Sequence, residues 1–265
     1  MGQIINAISR AIMVFMVMVA PSFLLPGASR TGQEISLIIG GLLAVFTVVE
    51  YASSHPGLVD FRFAPPYNRF RFFSFTVVLL SVVFLCRATE GLDAFAAQYL
   101  AMADQFVALL TFPVSPVVLA QELIGSEGDA AFQALIARAT ALSYGMSLVA
   151  VVFFTLFLWL MRWPGQRENF NLWINMPTFD PTLGKDITWR LRRGGLLNVI
   201  VGLALPYAVL VIVSRTGGWF DPSALQNYQS LIWGCVIWSV LPLVLFIRGQ
   251  AMLKIAWLID RARTD

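Results

Sequence analysis

Five windows of this chain, 35–51, 72–86, 142–161, 196–214 and 231–247, are apolar along their length and carry charge only at their edges. About 20 such residues in a helix cross the roughly 30 Å hydrocarbon core of a bilayer. Inside that core a helix satisfies every backbone polar group within its own segment. A sixth window, 11–25, follows Arg10 and runs into Pro26-Gly27-Ala28-Ser29, so it also has the outline of a secretory signal peptide. No Ala-x-Ala stands at that exit, and we read the window as an uncleaved first span. The expectation is an all-α, polytopic transmembrane helical bundle of about six spans, one integral membrane domain over residues 1–265.

Composition supports that solvent. Hydrophobic residues make up 58% of the chain and charged residues 12%, where soluble domains run near about 45–50% and about 25%, so disorder and a soluble core are both excluded. The single histidine, His55, cannot furnish a zinc site with several imidazoles or a bis-histidine haem pair. Beside Pro56-Gly57 it reads as a solvated turn residue rather than a ligand to a pigment metal.

Orientation follows from the distribution of Lys and Arg. With the N-terminus inside, Arg10, Arg62, Arg69, Arg71, Arg162, Arg167, Lys185, Arg190, Arg192, Arg193, Arg248, Lys254, Arg261 and Arg263 are cytoplasmic. Only Arg30, Arg87, Arg138 and Arg215 of the 18 basic residues lie outside. The positive-inside rule then predicts a multi-pass protein of a bacterial-type inner membrane with both termini cytoplasmic. The basic residues stand in short clusters at membrane edges, which suits lipid headgroups and not nucleic acid. Candidate headgroup contacts are Arg62, Arg69, Arg71, Arg190, Arg192 and Arg193.

Between the third and fourth spans, residues 89–139 form an outer segment whose acids suit that side. Its stretch 106–120 is apolar, short for a span and interrupted by Pro113 and Pro116. A full crossing there would put the arginine-rich 162–193 segment outside, so a re-entrant or interfacial segment is expected. Pro113, Ser115 and Pro116 are its candidate pore residues if it lines a cavity.

The cytoplasmic connectors are 52–71 and 162–193. The first alternates aromatic and arginine residues in the manner of an interfacial belt. The second mixes Trp163, Phe170, Trp173, Phe179 and Trp189 with Asn169, Asn171, Asn175, Asp180 and Asp186. Large rigid apolar groups beside short hydrogen-bonding ones are the composition of a protein interface. Trp163, Phe170, Trp173, Phe179, Asp180 and Trp189 are therefore the candidate partner-docking residues. A helix is expected to start near Lys185 and continue into the fifth span.

Catalytic signatures are missing from the sequence. It contains no GxxxxGK[ST], no GxSxG and no CxxC, and one histidine forbids HExxH. No acid sits at mid-depth in any window, which disfavours proton- or sodium-coupled transport. Gly40-Gly41, and Gly195 with Gly202, are expected to let helices approach closely, while Asn198, Pro206, Tyr207, Ser239 and Pro242 are the polar or kinked positions of the later spans. No catalytic or metal-ligating residue is assigned, and nothing in the sequence names a cofactor. The functional expectation is a non-catalytic accessory, assembly or scaffolding subunit of a membrane complex, docking through 162–193 onto protein partners or onto further copies of itself. The alternatives are a small channel or transporter using 106–120, and a lipid-modifying enzyme using Glu168, Asp180 and Asp186.

Overall fold

The computed structural model describes residues 2–25, 28–54, 57–91, 94–124, 128–161, 163–164, 170–177, 179, 186–215 and 221–264. Among these the regular elements are all helical: α1 Gly2–Leu24, α2 Arg30–Ala52, α3 Tyr67–Glu90, α4 Ala94–Leu110, α5 Pro116–Ile124, α6 Ala130–Leu160, α7 Leu172–Asn175, α8 Ile187–Arg215 and α9 Tyr228–Thr264, with a short 3-10 turn at Pro222–Gln226. Six of them (α1, α2, α3, α6, α8 and α9) are long and apolar enough to cross a membrane. The expected all-α, six-span architecture is the observed one, and it is that of a multi-pass membrane protein.

The helices outrun the apolar windows. The first begins at Gly2 and not at residue 11, because the polar start of α1 packs on α2: Ala7 is fully buried, and Gln3 Nε2 reaches the carbonyls of Tyr51, Ala52 and Ser53 at 3.3–3.4 Å. The fifth starts at Ile187, close to the expected Lys185, and α9 runs for 37 residues, about 55 Å at 1.5 Å per residue. That length exceeds a hydrocarbon core of about 30 Å, so part of α9 extends beyond it.

The described residues fall into two compact units, one of 1–73 with 157–187 and one of 74–156 with 188–265. In the first, α1 and α2 form an antiparallel hairpin. Gln3 meets the end of α2, a Cβ on Gly40 would stand 3.1 Å from Val19 Cγ1, and the buried hydroxyls of Ser22 and Ser36 bond each other. Gly41 faces open space, so only Gly40 of the pair serves close approach.

In the second unit α8 and α9 are antiparallel and joined by glycine. A Cβ on Gly249 would lie 2.6 Å from Gly195 O, and one on Gly202 would lie 2.9 Å from Pro242 O. Small residues that let backbones touch are the usual currency of helix association in lipid. Trp238 Nε1 donates to Pro206 O at 3.0 Å, and Arg192 pairs with Asp260. Thr155 bonds Gln250 at 2.8 Å, and the Tyr144 and Trp238 rings lie 5.6 Å apart, so α6 runs parallel to α9. The end of α3 meets the start of α9 through Thr89 and Tyr228 at 3.2 Å. Within this unit the helix directions therefore alternate as successive crossings require.

The 106–120 stretch is a helical hairpin of α4 and α5. Arg138 grips Asp104 with two bonds of 2.6 and 3.0 Å, and Phe106 and Leu110 pack over Gly145, so α4 runs alongside α6 in the same direction. Leu110, Val117 and Ala120 join Ala141, Leu210 and Trp238 in a buried cluster. Replacing Gly249 with Ala should destabilise the α8–α9 pair by about 1–3 kcal/mol, because the added methyl meets backbone that cannot swing aside. Thermal unfolding in detergent should show that loss, while Gly41→Ala, with nothing within 4 Å of its Cβ, should show none.

Candidate functional site

The last four carbonyls of a helix have no partner within it. At the end of α2 they are met from outside the helix. The Arg62 guanidinium donates to Glu50 O, to Tyr51 O at 3.1 Å and to Ser53 O at 2.7 Å, adding to the Gln3 bonds. Arg62 also lies 4.8 Å from the Phe63 ring centroid and 5.7 Å from that of Tyr51.

The Glu50 side chain serves the same connector. It is 8% exposed, and its carboxylate accepts the backbone N–H groups of Gly57 at 3.1 Å, Leu58 at 3.2 Å and Val59 at 3.3 Å. A buried carboxylate is tolerated only with such charge-assisted bonds. One residue thus fixes both ends of the turn, through its carbonyl held by Arg62 and its carboxylate held by the loop.

Beyond it, within the first unit, the 52–71 connector is tied to Trp163 and to the α7 region. Phe61 takes the left-handed backbone conformation, φ 55°, which is strained for an aromatic residue. The strain is offset by burial, since its ring is 1% exposed and stacks edge-on against Tyr67 at 4.5 Å and Trp163 at 5.5 Å. Asn175, 3% exposed, accepts Phe61 N–H on its carbonyl and Phe63 N–H on Oδ1 at 3.1 Å, and its Nδ2 donates to Asn171 O at 2.9 Å. Trp163 Nε1 donates to Ala64 O at 3.1 Å, and Asn68 Nδ2 to Asp60 O at 2.8 Å. Leu58 and Phe63 remain open to the outside, 64% and 53% exposed.

The expected docking residues are distributed unevenly over this arrangement. Trp163 is 2% exposed, so it holds the cap from inside and offers a partner no surface. Phe170 and Phe179 are half-buried in the same unit, and Trp173 sits within α7. Asp180 lies outside the described residues, as do His55 and Glu168, while Asp186 is exposed. Trp189 belongs to the second unit, is 45% exposed and carries Arg193 at 5.5 Å from its ring.

The six arginines expected at headgroups do different things. Arg62 turns inward to cap α2, and Arg71 lies 5.6 Å from the Tyr67 ring. Arg192 pairs with Asp260, Arg190 is half-buried, and Arg69 and Arg193 are exposed. At the hairpin tip Pro113 is exposed, Ser115 is fully buried and accepts Val117 N–H at 3.2 Å, and Pro116 opens α5. Ser115 and Pro116 thereby do the ordinary work of starting a helix. No group of three or more His, Cys, Asp or Glu able to hold a metal occurs among the described residues.

Glu50 and Asn175 are the residues whose roles the sequence hides. Glu50 reads as a charge at a span end, and Asn175 as one of several polar residues in a loop. The available signal is the need of α2's terminal carbonyls for donors, which Arg62 is placed to meet.

Comparison of the chain with family models, with curated proteins and with solved structures finds no match. The class that the fold itself defines is a multi-pass helical membrane protein. Replacing Glu50 with Gln removes the charge and one acceptor from three N–H groups, and Asn175→Ala strands Phe63 N–H. Each should cost about 1–3 kcal/mol locally and speed hydrogen exchange over 57–64, with the α8–α9 helices unaffected.

Proposed function

We propose that the protein is a non-catalytic accessory, assembly or scaffolding subunit of a larger inner-membrane complex, docking through its 162–193 connector and, in the first unit, through the exposed Leu58 and Phe63 of the 52–71 connector. The observation that supports this is the cap around Glu50, Arg62, Trp163 and Asn175. Fixing loop residues costs about 1–2 kcal/mol each in backbone entropy, and burying Glu50 adds desolvation to that. A slack connector between spans requires neither. What such an investment supplies is a preorganised surface, which binds without the ordering cost that flexible loops incur. Leu58 and Phe63 stand out from that surface, and Phe170 and Phe179 are half-buried in the same unit.

The proposal includes cytoplasmic placement of both termini, supported by the bias of fourteen basic residues to four in a six-span arrangement. A phosphatase or fluorescent reporter fused after Asp265 should report the cytoplasm, and an external signal would reverse the orientation. A second reading is a small channel or transporter, supported by the α4–α5 hairpin, whose buried face is held by α6, α8 and α9.

One experiment separates the two. Extracted from its own membrane into nanodiscs, the full chain should migrate with a distinct protein at fixed stoichiometry. Phe63→Glu with Leu58→Glu should release that protein while the isolated chain keeps its unfolding temperature. A homo-oligomer with no second protein would sink the scaffold reading. Solute flux from that oligomer, lost in Pro113→Ala, would establish the channel instead.

A further inference from the structure

The turn between α4 and α5 lies at membrane depth in the second unit, yet it is not helical. Leu110, the last residue of α4, packs over Gly145 and shares one buried cluster with Val117, Ala120 and Trp238. Trp238 stands seven residues, about 10 Å, inside the apolar window 231–247 of α9. Six residues back along α4, Asp104 pairs with Arg138, which precedes the apolar stretch 142–161 of α6. The ion pair thus marks the edge of the apolar slab, and residues 111–115 reverse the chain about 10 Å below it.

The backbone of this turn holds more acceptors than donors. Pro113 has no N–H to offer the Leu109 carbonyl, and Thr111 spends both its N–H and its hydroxyl on Val107 O, at 2.9 and 2.7 Å. Ser115 donates its N–H to Phe112 O and accepts Val117 N–H on its hydroxyl. Among the described residues the carbonyls of Ala108, Leu109, Leu110, Thr111, Pro113 and Val114 meet no donor. Only the N–H groups of Phe112, Val114 and Val118 stand against them without an acceptor. The same turn is open to the outside of the unit, with Leu109 74%, Phe112 48% and Val114 76% exposed.

Hydrocarbon offers nothing to a free carbonyl, so non-helical backbone at this depth persists only against protein or beside water that protein encloses. Because the turn is exposed, a second protein surface has to form the wall in either case. We infer that the α4–α5 turn is an intramembrane contact for a transmembrane helix of a partner subunit that presents side-chain hydrogen-bond donors, an inference that rests on the accessory-subunit reading. A second copy meeting it turn to turn would set the same surplus of acceptors against itself. An Asn, Gln or Trp on a partner helix brings the missing N–H groups, and polar side chains of this kind join helices within lipid. Apolar neighbours on that helix would cover Leu109, Phe112 and Val114.

The test places a benzoyl-phenylalanine photo-crosslinker at the exposed Leu109 of the full chain in its own membrane, and sequences the crosslinked peptide by mass spectrometry. The peptide should come from a transmembrane segment of a distinct protein, with a donor side chain within a turn of the attachment point, and the same protein should be retained in nanodiscs. Val114→Asp, which adds only acceptors, should cut that retention about ten-fold. Val114→Asn has the same shape, tolerates the same backbone and carries donors, so it should keep most of it. Equal loss in the two variants would overturn the donor chemistry. A crosslink to a second copy of this chain would overturn the partner assignment. Lipid adducts alone, or none, while a distinct protein is still retained would overturn this contact and leave the accessory-subunit reading standing. Retention of no distinct protein would overturn both.

Discussion

The constraint on which the structure depends is that a helix entering lipid must leave no backbone group without a partner. Within a span the helix satisfies itself, so the difficulty is concentrated at its ends and at its prolines. The end of α2 shows how much sequence that can consume: Gln3 from α1 and Arg62 from the following connector both donate to its carbonyls. Once Arg62 is held there the connector must turn sharply, and Glu50 takes up the N–H groups that the turn exposes. In the later spans Pro206 offers its carbonyl to Trp238, and Pro242 stands against Gly202, so the kink-prone positions lie where a neighbouring helix is in contact. Polar groups that would be liabilities in isolation become the points at which helices recognise one another.

The same economy explains why like-looking arginines have unlike roles. Arg62, Arg71 and Arg192 each sit near a span end and carry the same charge, but only Arg192 has a carboxylate partner. Arg62 answers carbonyl oxygens, and Arg71 an aromatic face together with the Asn68 side chain. A planar guanidinium with five donors can take any of these parts, and the part is decided by which acceptors the fold leaves over. Topological bias toward one side of the membrane is thus compatible with individual structural duties.

The spans were legible because their signal is local: a window of about 20 apolar residues declares itself without reference to the rest of the chain. The close approach at Gly40, Gly195 and Gly202 was legible for a related reason, as glycine within a span has few other uses. The cap was not. Phe63 and Asn175 are 112 positions apart, and Trp163 and Ala64 are 99 apart, so no periodicity or spacing couples them. Trp163 illustrates the resulting error of emphasis. An aromatic residue in a polar loop suggests a partner, yet the nearest surface for it to bury against is the other loop of its own chain.

The hairpin of α4 and α5 shows the opposite case, where an ambiguous local signal is resolved by packing. Residues 106–120 are apolar on two sides, and a sequence cannot say which side serves what. In the folded unit Leu110, Val117 and Ala120 face the cluster containing Ala141, Leu210 and Trp238, while Leu109, Phe112 and Val114 are 48–76% exposed at and beside the tip. Val114 adopts φ 68°, a conformation that a β-branched residue takes only under compulsion, since the left-handed region costs about 1–2 kcal/mol. The compulsion is visible next to it, where Ser115 is fully buried, donates its N–H to Phe112 O at 3.0 Å and caps α5. A tip held in strain by its own anchor is fixed in place by the unit beneath it. The core therefore already explains the apolarity of Leu110, Val117 and Ala120, and the exposed Leu109, Phe112 and Val114 need lipid or another surface to account for theirs.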